Sequence, residues 1–265
     1  SLEMIFLKTS EEIELLRQAN LLVGKALAEV AKIIEPGVTT KQLDRVAEEF
    51  IRDNGAIPTF KGYPNHEGVP FPGSICASVN DVVVHGIPND VPLKEGDIVS
   101  VDCGTLLDGF CGDSCYTFCV GEVDEETKKL LRVTEESLYK GIENAVHGRR
   151  LGDIGNAVQT HCEQNGYGVV REFVGHGIGR NMHEAPEVPN YGRRGNGLQL
   201  RQGMCIAIEP MINEGCAEVV RYKDFIINPI PENHEVYKEY YQLFKDAYQE
   251  SKGVIEKVTM LGRRD

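Results

Sequence analysis

Four side chains that can bind a metal ion lie in apolar runs typical of buried strands. A carboxylate in such a run is partly buried, and a buried charge needs a partner. Three carboxylates cannot all ionise in one apolar site unless a cation holds them. Three carboxylates with one imidazole suit Mn, Fe, Co or Zn, so the set predicts a divalent metal site, although each acid alone could simply cap a turn. The four are Asp102 in IVSVDCGTL, Asp113 in GFCGDSCYTF, His176 in VGHGIG and Glu209 in CIAIEPMI.

Two further histidines gain interest from these candidate ligands. His85 follows the run DVVV, and His183 lies seven residues after His176 in a loop flanked by glycine and proline. An imidazole beside a metal can polarise a carbonyl group or donate a proton. A single histidine is more often an ordinary surface or core residue, so both assignments depend on the metal site.

Composition limits the classes of function. The 265 residues are 41% hydrophobic and 26% charged, with a formal net charge of −13. This charge argues against broad binding to nucleic acid or anionic membranes, because phosphates would be repelled. No apolar run is long enough for a membrane span, and no signal peptide is evident. We therefore expect a cytoplasmic protein whose eight cysteines are reduced thiols.

The pattern of the elements predicts an α+β fold with an internal repeat. A helix over 11–35 and a second one ending at Asn54-Gly55 precede short β-branched runs over 57–120, which read as antiparallel sheet. Helices over 124–146 and up to Asn165-Gly166 then begin the pattern again. A shift of 111 residues superposes Gly37, Asn54 and Gly55 on Gly148, Asn165 and Gly166, which predicts a duplicated helix-helix-sheet unit.

The domain prediction follows from this repeat. A single domain is expected over 4–228, with halves of about 9–122 and 123–228. The stretch 229–265 is charged, rich in tyrosine and without strand signal, so a divergent and mostly helical tail is expected there.

Several motifs together resemble the type I methionine aminopeptidases, which are pita-bread metallopeptidases. The similar runs are VVVHGIP, VSVDCGTLLDGFCGDS, GHGIGRNMHEAP and AIEPMI, and the resemblance covers about 4–228. It implies a pita-bread fold with two pseudo-symmetric helix-helix-sheet halves around a curved antiparallel sheet. It also implies two divalent metal ions (Co, Mn, Fe or Zn).

The resemblance carries roles for the candidate residues. Asp102 would ligate one metal, Asp113 would bridge both, and His176 and Glu209 would bind the second. A metal-bound hydroxide would attack the first peptide bond, and Glu209 would carry its proton. His183 would stabilise the oxyanion, and His85 would contact the substrate near the scissile amide. A methionine-sized pocket would be lined by Phe60, Tyr63, Cys76 and Phe173, residues that ordinary core packing would also explain.

The implied activity is removal of the initiator methionine from nascent chains with a small second residue. The expected partners are nascent N-termini at the ribosome, with no direct binding to nucleic acid or membrane, and the chain is expected to be a monomer. Two alternatives stay open. One is a related pita-bread peptidase of the aminopeptidase P kind, and the other is a non-catalytic peptide- or ribosome-binding module.

One departure from the family pattern affects the expected activity. The family carries a fifth metal ligand, a glutamate in a run of the kind SAxxEHT, and no such run occurs here. Glu235 is a weak candidate because its surroundings are polar and helical. Without a bridging carboxylate, we expect weaker binding of one metal and impaired activity.

Overall fold

The computed structural model describes residues 4–64, 68–222 and 225–227. Helix α1 (Ser10–Ala31) begins at a capping box in which the Thr9 hydroxyl accepts from the Glu12 amide. It ends four residues before the predicted residue 35, so that prediction is wrong. After Ala31, the backbone hydrogen bonds join residues three positions apart, as in a 3₁₀ turn. Ile33 and Ile34 lie beyond the end of the helix and pack against the core.

Helix α2 (Thr40–Asp53) completes the helical layer of the first half. Thr39 caps it and forms a second capping box with Gln42. Asn54 ends the helix, and Gly55 follows with a φ of +76°, a left-handed conformation that favours glycine.

The first half contains the strands β1 (Ile57–Pro58), β2 (Ile75–Val79), β3 (Val82–Val84), β4 (Ile98–Leu107) and β5 (Phe110–Cys119). All of them except β3 form the predicted antiparallel sheet. Strand β4 is central, since β1, β2 and β5 all pair with it. Asp108 and Gly109, both with positive φ, make the tight turn between β4 and β5.

The second half repeats the order with shorter strands. It contains α3 (Glu125–Glu143), α4 (Leu151–Gln164), β6 (Gly168–Val169), β7 (Gly175–Gly177), β8 (Glu184–Val188), β9 (Ile206–Ala207) and β10 (Ile212–Asn213). The predicted end of α3 at 146 is wrong by three residues, because Asn144 is the C-cap. Strand β7 pairs with β8 on one side and β9 on the other.

The last two described strands form a hairpin that pairs with the first half. Strand β11 (Val220–Tyr222) pairs with β12 (Phe225–Ile227), and β12 pairs with β3 of the first half. The tail from 229 and Glu235 lie outside the described residues, so the domain limits and the tail remain predictions. In the described part of the chain, no helix is long and apolar enough to cross a membrane.

The repeat appears in individual hydrogen bonds. The Gly37 amide donates to Leu93 O, and the Gly148 amide donates to Leu200 O. The Asn54 side chain donates to Phe50 O at 2.8 Å, and the Asn165 side chain donates to His161 O at 2.8 Å. The donors of these equivalent contacts lie 111 positions apart, which supports the predicted duplication of a helix-helix-sheet unit.

The main core lies between the two helices and one face of the sheet. Val99, Val101 and Cys103 of β4 are buried in one cluster with residues of α1 and α2. Because successive side chains of a strand alternate between faces, Asp102 points away from those helices. The face of the sheet opposite α1 and α2 therefore carries the candidate site.

Candidate metal centre

The β4–β5 hairpin presents two acidic residues on one face. Asp102 is paired with Cys115, and Asp113 is paired with Gly104, so the two aspartates are diagonal neighbours on the same face. The Asp113 amide donates to Asn20 Oδ1 of α1 at 2.9 Å. The hairpin and α1 together fix the backbone that carries Asp113.

The second half presents His176 from the centre of its small sheet. Both neighbours must be glycine, because a Cβ on Gly175 would lie 2.1 Å from Ala207 O and one on Gly177 would lie 2.2 Å from Ala185 O. The Nδ1 atom of His176 is 2.7 Å from Gly177 O. This contact leaves Nε2 to face the site.

Glu209 follows strand β9 and is held through its backbone. The buried Asn190 side chain donates to Glu209 O at 2.7 Å. Glu209 itself is only 2% exposed.

The two halves meet at a compact group of three candidate ligands. His176 Nε2 lies 2.9 Å from Glu209 Oε1 and 3.5 Å from Asp113 Oδ2. One ligating atom from each residue lies within 4.8 Å of the others, and all three residues are buried. Asp102, also buried, is not one of the three, although its charge helps to raise the pKa of the Glu209 carboxyl.

The electrostatics of this group fit a cation. Burial raises the pKa of the Asp113 carboxyl well above its ordinary value. Burial is also the largest cause of the raised pKa of Glu209; hydrogen bonding to His176 opposes it, and the charges of Asp113 and Asp102 add to it. Within the described residues, the buried Asp113 Oδ1 receives no hydrogen bond. A divalent ion would bind this set of two carboxylates and one imidazole and would compensate the negative charge of the buried carboxylates.

Two histidines flank the three candidate ligands. The His183 ring centroid lies 4.4 Å from that of His176 and 6.0 Å from that of Tyr63. His85 is 1% exposed and meets Phe173 edge to face at 5.6 Å. Its φ of +67° is unusual outside glycine and costs on the order of 1–3 kcal/mol, which the surrounding structure must offset.

Comparison with known families decides the assignment. The model of metallopeptidase family M24 matches residues 14–228. The chain belongs to this family. Its pita-bread fold, predicted above, is thereby confirmed, and so is its use of divalent metal.

Relatives of this M24 metallopeptidase are similar over most of their length. A methionine aminopeptidase of Clostridium acetobutylicum is 54% identical over 213 residues, which cover 80% of this chain and 83% of the relative. Methionine aminopeptidase 1 of Bacillus subtilis is 49% identical over 221 residues, covering 83% and 87%. The crystal structure of methionine aminopeptidase from Rickettsia prowazekii is 42% identical with a TM-score of 0.81, covering 85% of this chain and 90% of that one.

The four predicted pocket residues of this M24 metallopeptidase divide into two pairs. Phe60 and Cys76 share one buried apolar cluster that also contains Met182. Tyr63 and Phe173 instead contact the two flanking histidines. Burial raises the pKa of the Cys76 thiol well above its ordinary value, so this wall is neutral. The pocket itself remains a prediction.

Cys111 lies on the same sheet face as Asp113, as strand parity predicts. Its thiol donates to Arg180 O at 3.6 Å, and burial raises its pKa to about 12. Cys111 is therefore a neutral thiol engaged with a backbone carbonyl.

Sequence reasoning missed the residues that hold the M24 site in place. Asn20 lies between the apolar positions Leu16 and Val23 of α1. A polar residue among these buried positions could have indicated a contact with the site. Asn190 gives no such signal, because its contact with Glu209 depends on the loop between β8 and β9. The buried pair of Lys8 and Glu184, treated below, joins positions 176 residues apart and also could not be found from spacing.

Proposed function

We propose that this M24 metallopeptidase removes the initiator methionine from nascent proteins and peptides whose second residue is small. The buried group of Asp113, His176 and Glu209 carries the proposal, because it can hold a divalent ion beside two further histidines. The methionine aminopeptidases that are 49–54% identical over most of the chain support the choice of substrate.

In this proposal, Asp102, Asp113, His176 and Glu209 hold the metal. A divalent ion supplies Lewis-acid polarisation of the scissile carbonyl and an acidified water. The tighter position is assigned to Asp113, His176 and Glu209, and Asp102 belongs to a weaker second position. Mn, Fe, Co and Zn all match the ligand chemistry.

Three of the chain's own groups complete the reaction. Glu209 takes a proton from the attacking water and delivers it to the departing amine. His183 donates to the developing oxyanion, and His85 orients the scissile amide. The crowded ring contact between His183 and His176 supports a position of His183 beside the metal.

The methionine side chain is assigned to the apolar walls. Phe60, Tyr63, Cys76 and Phe173 offer aromatic faces and a neutral thiol, which suit a flexible, polarisable thioether. The proposed partners are nascent N-termini at the ribosome in the cytoplasm, where such N-termini arise, and the chain acts as a monomer.

The alternative functions receive less support. The structure of an Xaa-Pro dipeptidase from Bacillus anthracis is 26% identical with a TM-score of 0.63, and the match covers only 54% of that chain. A non-catalytic role is disfavoured because all four candidate ligands are present. The missing family motif is expected to weaken binding of the second metal, and with it the activity, without changing the type of reaction.

Peptide hydrolysis with metal titration tests the proposal. The purified chain, stripped with a chelator, is expected to release methionine from Met-Ala-Ser only after divalent metal is added. Glu209→Gln should abolish release, while Glu29→Gln on the outer face of α1 serves as the matched control. Release from Xaa-Pro peptides but not from Met-Ala-Ser would favour the aminopeptidase P alternative.

The same titration addresses the number of metals. The expected result is one tightly bound ion and a second that binds much more weakly. Two tight ions per chain would indicate a further carboxylate ligand, for which Glu235→Ala is the deciding variant.

A further inference from the structure

Two residues far apart in sequence form a buried ion pair beside the candidate site. Lys8 Nζ lies 2.7 Å from Glu184 Oε1, and the two side chains are 5% and 6% exposed. Among the described residues, no other lysine– or arginine–carboxylate pair has both side chains this deeply buried. A buried pair adds little stability on average, because desolvation offsets the attraction, so its placement calls for another explanation.

The pair sits against the loop that carries His183. Glu184 directly follows His183, and its second oxygen accepts from the Asn181 amide at 3.2 Å. A Cβ on Gly179 would lie 2.6 Å from Lys8 Cε and 2.9 Å from both Glu184 oxygens. The ion pair thus fills the space on the outer side of the loop from Gly179 to Glu184.

The N-terminal segment holds Lys8 in this position. The Lys8 amide donates to Gly203 O at 2.8 Å, and Lys8 Nζ also donates to Phe6 O at 3.1 Å. Thr9, the next residue, is the N-cap of α1. Lys8 is therefore fixed between the first helix and the strand region that leads to Glu209.

The loop has a second anchor in the first half. The Cys111 amide donates to Gly179 O at 2.9 Å, and the Arg180 guanidinium lies over the Phe110 ring at 4.7 Å. These contacts fix the start of the loop, whereas the pair with Lys8 fixes its end, next to His183. On the inner side, the rings of His176 and Tyr63 contact His183.

We propose that Lys8, through its buried ion pair with Glu184, is a positioning residue for His183. The proposal rests on the proposed function in one respect, the role of His183 as oxyanion donor. Removing the ammonium group leaves Glu184 without its cation in a buried site, so the end of the loop must shift and carry His183 with it. A misplaced donor lowers kcat more than it changes KM, because the oxyanion forms only in the transition state.

Steady-state kinetics on Met-Ala-Ser test this role. Lys8→Met should lower kcat by about 10- to 100-fold with KM changed less than about twofold, and Lys8→Arg should recover most of the loss. Lys41→Met is the matched control, because Lys41 pairs with Asp90 at the surface and should leave kcat unchanged. In a His183→Ala background, Lys8→Met should have almost no further effect. Equal losses with and without His183 would overturn the proposal.

A second readout does not depend on activity. In metal-free protein with isotope-labelled histidine, Lys8→Met should shift the ring signals of His183, while those of His161 on α4, which lies beside Glu136, stay in place. Unchanged His183 signals would overturn the positioning role even if the chain is a peptidase. An inactive wild-type chain with shifted signals would instead contradict only the proposed function. Should Lys8→Met fail to fold, the double variant Lys8→Met with Glu184→Gln removes the unpaired buried charge. Shifted His183 signals in that variant would support the positioning role, and unchanged signals would overturn it.

Discussion

The two halves of the repeat supply the candidate metal ligands in different ways. Asp102 and Asp113 come from a hairpin of two ten-residue strands with continuous pairing from Ile98 to Cys119. His176 comes from a strand of three residues with a register shift beside it, and Glu209 follows a strand of only two residues. A long ladder positions its side chains through many backbone hydrogen bonds, whereas short strands depend on a few side-chain braces. The second half should therefore be the more sensitive to single substitutions outside the ligands.

The largest expected effect is loss of a ligand from the compact group. His176→Ala or Asp113→Asn should lower kcat/KM by more than about 100-fold, since even outer partners of metal ligands typically contribute 10- to 100-fold. Asp102→Asn should mainly weaken the second metal and cost less at saturating metal. Kinetics at several metal concentrations separate the two cases, and equal losses at all four positions would contradict the assignment of one tight position.

Two asparagines offer a matched pair for testing the contrast between halves. Asn190→Ala removes the hydrogen bond to Glu209 O and should weaken metal binding by about 10-fold or more. Asn20→Ala removes the acceptor of the Asp113 amide, but the hairpin still holds that residue, so a loss of less than about threefold is expected. Isothermal titration with Mn²⁺ measures both. A greater loss from Asn20→Ala would reverse the comparison.

A smaller effect is expected on the pH dependence of stability. The folded-state pKa values of Asp113 and Glu209 lie above their ordinary values of 3.8 and 4.5, so the metal-free native state binds more protons than the unfolded chain. The stability from these two groups is fully present below about pH 4 and is lost as pH rises through their folded-state pKa values. Other groups set the remaining profile.

Thermal melts of the chelated protein between pH 5 and 8 check this expectation. The difference in melting temperature between Glu209→Gln and the wild type should move in favour of the variant as pH rises, because the amide cannot ionise. Saturating divalent metal should reverse that trend, since the metal stabilises the ionised carboxylates. A difference that stays constant with pH would show that Glu209 does not titrate in this range.

The sequence predicts much of this arrangement because its signals are local. Acidic residues in apolar strands mark Asp102, Asp113 and Glu209, and the repeated Asn-Gly helix ends mark the duplication. The end of α1 is predicted too late because Ile33 and Ile34 continue the apolar stripe after the helical hydrogen bonds have stopped. The braces Asn190 and Lys8 cannot be predicted, because their partners are fixed by loop paths rather than by periodicity.

Anomalous diffraction from crystals grown with Mn²⁺ tests the central claim most directly. The account predicts that the strongest anomalous peak lies between the carboxylates of Asp113 and Glu209 and within ligand distance of His176 Nε2, with any second peak weaker and beside Asp102. A strongest peak elsewhere in the molecule, or none near these three side chains at saturating metal, would contradict it.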